Sequence, residues 1–487
     1  MNTIAKLLKD RSLLKNLCLI DGKWIDSAVH KHIAIINPFS NEKIAKVPQL
    51  TAEQVDKAIL SASTAFNSWK DILVTERTAL LKKWNNLILQ NAEDLATIMV
   101  LEQGKPLKEA IGEIKYAASY IEFYAEEVKR IYGDILPSPF PDTRIFILKQ
   151  PIGVVGIITP WNFPAAMLMR KVAPALASGC TCVVKPDKST PLTALAIMEL
   201  SIRAGIPKGV INVVTGNSAE IGLAFTQSNQ VKKISFTGST EVGKLLMKNA
   251  SQTLTRVTLE LGGNAPFIVF EDANIENAVN GLIDSKFRNA GQTCVCANRV
   301  FVHRSILAEF SVRLIDKVEK LKVGNGLDDN DIGPLISQEA IVKIEHLLSD
   351  ATRQGATLLL GGKRHKLGNQ FFEPTVLTNT STSMDIFCTE IFGPVVAIVS
   401  FDTVDEVIEL ANDTRHGLAS YFYASDMNNI WKVAEALEYG MVGVNSGAIS
   451  SALIPFGGVK ESGFGREGSK YGIEDYLNIK YIHLKNA

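Results

Sequence analysis

From residue 152 onward, short apolar runs alternate with helical stretches, and few patterns constrain a fold as tightly. The runs are Val154-Val-Gly-Ile-Ile, Cys182-Val-Val-Lys, Val210-Ile-Asn-Val-Val, Lys233-Ile-Ser-Phe and Val257-Thr-Leu-Glu. Helix-like stretches such as 164–178 and 191–204 separate them. Strands apolar along their length are buried on both faces, as in a parallel sheet covered by crossover helices. The alternation resumes after residue 266 with Phe267-Ile-Val-Phe, Val300-Phe-Val-His, Val395-Val-Ala-Ile-Val and Leu418-Ala-Ser-Tyr-Phe-Tyr. The fold class is therefore α/β, with two parallel, Rossmann-like domains.

The flanking segments differ. Thr51-Ala-Glu-Gln predicts a capping box, and long helical patterns follow over 76–102 and 106–130. Residues 131–151 carry Gly133, Pro137, Pro139, Pro141 and Pro151 around the apolar run Ile145-Phe-Ile-Leu, which predicts an extended excursion. The tail reads as a lone strand, Ile479-Lys-Tyr-Ile-His-Leu, that pairs with this excursion or with another subunit. The expected division is one α/β domain over 1–130 and 152–262, a second over 263–469, and a small β arm over 131–151 and 470–487.

Composition narrows the function. Lys plus Arg equals Asp plus Glu at 51 each, so no global field favours nucleic acid or an anionic membrane. The most apolar stretch, 152–169, is broken by Gly153, Gly156, Pro160, Asn162 and Pro164 and cannot form a spanning helix. The start lacks the unbroken apolar core of a signal peptide. Ile4, Leu7, Leu8 and Arg11 suggest a short amphipathic helix there, and Asp10 counts against a transit peptide. The cysteines are Cys18, Cys180, Cys182, Cys294, Cys296 and Cys388, with no C-x-x-C, so neither a disulfide scaffold nor a zinc ribbon is expected. No metal site is expected, and the cytoplasm is the default compartment.

One loop stands out for chemistry: Phe287-Arg-Asn-Ala-Gly-Gln-Thr-Cys-Val-Cys-Ala-Asn-Arg. A thiol at Cys294, in a polar loop with a glycine, is a reachable nucleophile. The competing reading is a small core residue. Gly238-Ser239 ends a strand and opens a helix, an arrangement that holds phosphate, although a plain strand–helix turn has the same signature. In Thr159-Pro-Trp-Asn-Phe-Pro two prolines pin the backbone, so that Asn162 could donate to a developing oxyanion. Lys185-Pro186-Asp187-Lys188 lies at the carboxyl end of a strand, where such sheets bind ligands. Glu260, between leucines and before paired glycines, suits a general base whose pKa burial would raise. Its alternative role is to cap the next turn.

These motifs, with Glu390-Ile-Phe-Gly-Pro and Pro455-Phe-Gly-Gly, resemble the NAD(P)-dependent aldehyde dehydrogenase superfamily over essentially the whole chain. The strings around Lys286–Asn298 and Gly465–Tyr476 are similar to the succinate-semialdehyde dehydrogenases. The resemblance implies an aldehyde dehydrogenase-like fold with cofactor-binding and catalytic domains and an oligomerisation arm, in a homotetramer or homodimer. It implies that Cys294 attacks the aldehyde, that Asn162 and the Cys294 N–H hold the oxyanion, and that Glu260 activates water. Trp161, Lys185, Pro186, Asp187, Lys188, Gly238, Ser239, Leu261, Glu390 and Phe392 would meet the cofactor. Many NAD-preferring relatives place Glu where Lys188 stands, so NADP is expected to be preferred, with NAD possible. Arg170, Arg288 and Ser450 would grip the substrate carboxylate, with Ser451 the neighbouring alternative to Ser450. Cys296 is a candidate redox partner of Cys294. Glutarate semialdehyde is the alternative substrate, and a cysteine ester or thioester hydrolase is the alternative class.

Overall fold

The structure is a computed structural model that describes residues 2–368 and 370–485. Every apolar run named above is a strand. In the first sheet the parallel strands run in the order Ile211–Val213, Thr181–Lys185, Val154–Ile158, Val231–Thr237 and Arg256–Glu260. The antiparallel strand Cys18–Ile20 extends one edge. Gly463–Phe464 closes the other, with Leu259 opposite Phe464, so the chain returns to the first sheet near its end. In the second sheet Ala265–Val269 lies between Ala297–His303 and Ala419–Tyr423, all parallel.

Helices cover both faces of each sheet, which is why the strands are buried throughout. The helix Ala52–Trp69 opens with the expected capping box, Thr51 and Gln54 bonding reciprocally. The pattern over 76–102 divides into Val74–Gln90 and Ala92–Gln103 at Asn91, whose φ of −106° and ψ of 20° are not helical. The side chain of Asp94, in the first turn of the second piece, accepts from the backbone N–H of Lys9 (2.9 Å) and Asp10 (2.7 Å). The N-terminal segment thereby anchors the break.

Leu477–Lys485 pairs antiparallel with Thr143–Pro151 along its whole length, and Asp134–Leu136 adds a third strand. This arm exposes Ile135, Ile479, Tyr481 and Leu484. Among the described residues no helix is long and apolar enough to cross a membrane.

Candidate active site

The first sheet has a topological switch. From Val154–Ile158 the chain moves outward through Thr181–Lys185 to Ile211–Val213, then returns to the other side of Val154–Ile158 with Val231–Thr237. The crevice at such a reversal, at the carboxyl ends of the strands, is where open α/β sheets bind ligands. Pro160 and Trp161 emerge from one strand there, and Gly238 and Ser239 from the other. Ser239 caps the helix Thr240–Ala250, its Oγ accepting from Val242 N at 3.4 Å. The free N–H groups and dipole of that helix end attract anions.

A cavity of 510 Å³ occupies the crevice, lined by Trp161, Ser239, Leu261, Cys294, Glu390 and Phe392 among others. A Cβ on Gly262 would lie 3.1 Å from Glu390 Oε2, so any side chain there would intrude on the cleft. Glu390 Oε1 accepts from Gly263 N at 3.1 Å, and burial pushes this carboxyl up to about 7. Trp161 and Phe392 meet edge to face at 5.6 Å. An anion-binding helix end, a carboxylate acceptor for hydroxyls and an aromatic wall together fit a dinucleotide.

A second chamber of 320 Å³ is lined by Phe163, Arg170, Arg288, Cys294, Ser450 and Phe456, among others. Cys294 and Met167 line both cavities, so the two chambers meet at the thiol. The two arginines differ. Arg170 is buried, stacks on Phe456 at 3.7 Å and is ion-paired at 2.8 Å with Glu467, which also pairs with Lys171. Its Nη2 has no hydrogen-bond partner among the described residues. Arg288 lies over the Phe163 ring at 5.2 Å and makes no ion pair with a described residue. Ser450 lines the chamber, whereas the Ser451 hydroxyl accepts from Leu453 N at 3.2 Å, away from it.

The approach to Cys294 is a left-handed bend. Asn289, Ala290 and Gly291 have φ of 51°, 54° and 74°. A non-glycine residue in this region costs roughly 1 kcal/mol or more. Long-range bonds hold the bend in place. Asn289 N donates to Glu109 (2.8 Å), Asn289 Nδ2 donates to the Asn162 carbonyl (3.1 Å), and Gln103 donates to Asn289 Oδ1 (2.8 Å). Gln292 accepts from Ile336 N at 2.9 Å. A Cβ on Gly291 would sit 2.2 Å from the Gly393 carbonyl oxygen. Gly291→Ala is therefore expected to cut kcat by about 100-fold or more by displacing the thiol. Wild-type turnover in that variant would show that the bend does not position Cys294.

Asn162 is buried and donates from Nδ2 to Gln292 O at 3.0 Å, which leaves its second amide N–H for a ligand in the chamber it lines. The Cys294 N–H donates to no described group. Burial pushes the Cys294 thiol up to about 12; Glu390 and Glu260 add to this, while Arg170 and Arg288 oppose it. The thiol therefore needs a base to act as a nucleophile. Below its pKa the thiolate fraction grows tenfold per pH unit. Alkylation of Cys294 by iodoacetamide is accordingly expected to quicken about tenfold per unit between about pH 7 and 10. A plateau below about pH 9 would contradict the raised thiol.

Glu260 is 4 % exposed, and its Oε2 has no partner among the described residues. Burial, then Glu467, raise its pKa, against Arg170 and Lys171. It lines neither chamber, but its charge is felt at Cys294. Cys296 is buried, its Sγ near Lys286 O (3.8 Å) and Ala297 O (3.4 Å), and both thiols are free. A bridge between them would have to break those contacts.

Lys185 ends the strand Thr181–Lys185 and Pro186, Asp187 and Lys188 follow it, but none of them lines the 510 Å³ cavity. Lys185 is buried and Lys188 exposed. Gln103, Glu109, Gln292 and Glu467 escape sequence reading. Only Gln292 had a local signal, its place two residues before Cys294.

The chain matches the aldehyde dehydrogenase family model over residues 24–482. It is 54% identical to the mitochondrial succinate-semialdehyde dehydrogenase of Oryza sativa subsp. japonica, covering 97% of this chain and 90% of the relative. It is 51% identical to a glutarate-semialdehyde dehydrogenase of Pseudomonas putida, covering 98% and 99%. The crystal structure of an NADP dependent enzyme from E. coli superposes with a TM-score of 0.98 at 50% identity, covering 98% of this chain and 100% of that one. By the matched span and these likenesses, the chain belongs to the aldehyde dehydrogenase family.

Proposed function

We propose that this protein oxidises succinate semialdehyde to succinate, with NADP⁺ preferred over NAD⁺. The observation that carries the reading is the junction at Cys294, with a dinucleotide-sized cleft on one side and a chamber bearing two arginines on the other. Arginine forks suit a carboxylate, and an aliphatic aldehyde would leave Arg288 and Arg170 Nη2 without a partner.

Cys294 Sγ attacks the aldehyde carbon and its proton passes to a base. Asn162 Nδ2 and the Cys294 N–H stabilise the oxyanion of the thiohemiacetal. When bound, the dinucleotide supplies a two-electron acceptor. Loss of two electrons and the carbon's hydrogen converts the thiohemiacetal to a thioester. Glu260, which does not line the chamber, turns toward the thioester and takes a proton from the attacking water. That releases the acid and restores the thiol. Arg288, Arg170 Nη2 and Ser450 hold the distal carboxylate.

The direct test is the near-ultraviolet absorbance of the reduced cofactor with succinate semialdehyde and NADP⁺. No signal with either NADP⁺ or NAD⁺ would reject dehydrogenation and favour the thioester hydrolase. Glutarate semialdehyde, one methylene longer, is the competing substrate. A methylene is worth about 10–200-fold in kcat/KM, and succinate semialdehyde is expected to lead. Lys188→Glu is expected to shift the NADP⁺ to NAD⁺ ratio of kcat/KM toward NAD⁺ by about 10–100-fold. An unchanged ratio would reject Lys188 as the 2′-phosphate contact.

The domain over 1–130 and 152–262 holds the cofactor in this reading, and that over 263–469 carries the thiol. The exposed apolar arm supports assembly as a homodimer or homotetramer, which sedimentation would decide. The cytoplasm is the compartment proposed, on cysteine usage.

A further inference from the structure

Beside the helix end that Ser239 caps, the cofactor cleft carries a cation with no assigned task. Arg415 and His416 line the cavity together with Ser239, Thr240 and Glu241. The backbone here is fixed: Glu461 N donates to Arg415 O at 2.9 Å, and His416 pairs with Lys460 in a short antiparallel bridge. His416 is buried, its Nδ1 3.1 Å from Gly262 O, on the cleft floor. The Arg415 guanidinium, by contrast, donates no hydrogen bond to a described residue. Its nearest carboxylates are Glu461 at 3.5 Å and Glu241 at 3.8 Å, both ion pairs without a hydrogen bond. Glu461 already has a better partner in Lys244, at 2.8 Å.

The charges explain why a cation is needed there. Glu241 stands in the first turn of the helix that Ser239 caps. That carboxylate suits the helix dipole but opposes any anion the helix end would bind. The Arg415 guanidinium, 3.8 Å from Glu241, offsets that opposition and still offers its planar set of donors.

We propose that Arg415 is a cofactor-binding residue, donating to the diphosphate of the dinucleotide beside the helix end that Ser239 caps. The proposal rests on the dinucleotide reading of the cleft and adds a cationic contact to it. The diphosphate is common to NADP⁺ and NAD⁺, so Arg415 sets affinity for both, whereas Lys188 sets the choice between them.

Isothermal titration calorimetry with NADP⁺ and with NAD⁺, without aldehyde, tests this. Arg415→Ala is expected to weaken both dinucleotides equally, by about tenfold at low salt and less at high salt, since an exposed charge is screened. Arg415→Lys should recover most of the loss, and Arg364→Ala, an exposed arginine paired with Glu345, should bind as wild type. If wild type binds both dinucleotides and Arg415→Ala binds them as tightly, Arg415 is not a contact and the cleft reading stands. Weakening of NADP⁺ alone, or an equal loss in Arg364→Ala, overturns the diphosphate assignment. If wild type binds neither dinucleotide, the cofactor reading fails and the proposal with it.

Discussion

Cys294→Ala is expected to lower kcat/KM for succinate semialdehyde by about 10⁴-fold or more while both dinucleotides still bind. Among the described residues the thiol is the one nucleophile that lines both chambers, so it can hold the substrate carbon where the arginine chamber meets the cofactor cleft. Its partners are all built around its position. Asn162 reaches Gln292 O two residues away, and the left-handed bend at 289–291 delivers the loop. Removing one sulfur leaves these bonds intact, so the variant should fold and bind as wild type. Residual turnover above about 1% in Cys294→Ala, measured by reduced-cofactor absorbance, would mean that another group carries the chemistry.

Arg288→Leu is expected to raise KM for succinate semialdehyde by about 100-fold and to leave KM for propanal within about twofold. Arg288 has only an aromatic face beneath it and no carboxylate partner among the described residues, so its charge is free for the substrate. Arg170 differs because Glu467 already holds it. Arg170→Leu would strand a buried carboxylate beside Lys171 alone, at about 3–5 kcal/mol, and should lower thermal stability and slow all aldehydes. The two arginines thus differ in duty: Arg288 serves the substrate alone, whereas Arg170 offers Nη2 to it while Glu467 holds its Nε. Equal effects of Arg288→Leu on both aldehydes would remove carboxylate binding from its role.

Much of this was legible in the sequence because it is local. Buried parallel strands leave uninterrupted apolar runs, and each run from Val154 to Tyr423 is a strand. The tail strand was legible with two possible partners, the excursion or another subunit, and it pairs with 143–151. The cleft residues stand at strand ends, where Gly238-Ser239 and Trp161-Asn162 carry recognisable turn chemistry. Other features depend on distant partners. Asn91 breaks a helix although the apolar period continues through it, and the piece that follows is tied through Asp94 to the N-terminal segment more than eighty residues away. Glu467 sits 296 residues from Lys171, and no local pattern joins them. The bend before Cys294 was also hidden, since Ala290 at φ 54° contradicts its own preference and is held by Glu109 and Gln103 through Asn289.

In this mechanism Cys294 carries the acyl group between oxidation and hydrolysis. Acid quench during a single turnover of succinate semialdehyde with NADP⁺, followed by mass spectrometry of the digested protein, tests this. One succinyl group is expected on the peptide bearing Cys294, appearing with one equivalent of reduced cofactor and then decaying to free succinate. Reduced cofactor formed in that turnover with no added mass on Cys294 would contradict it.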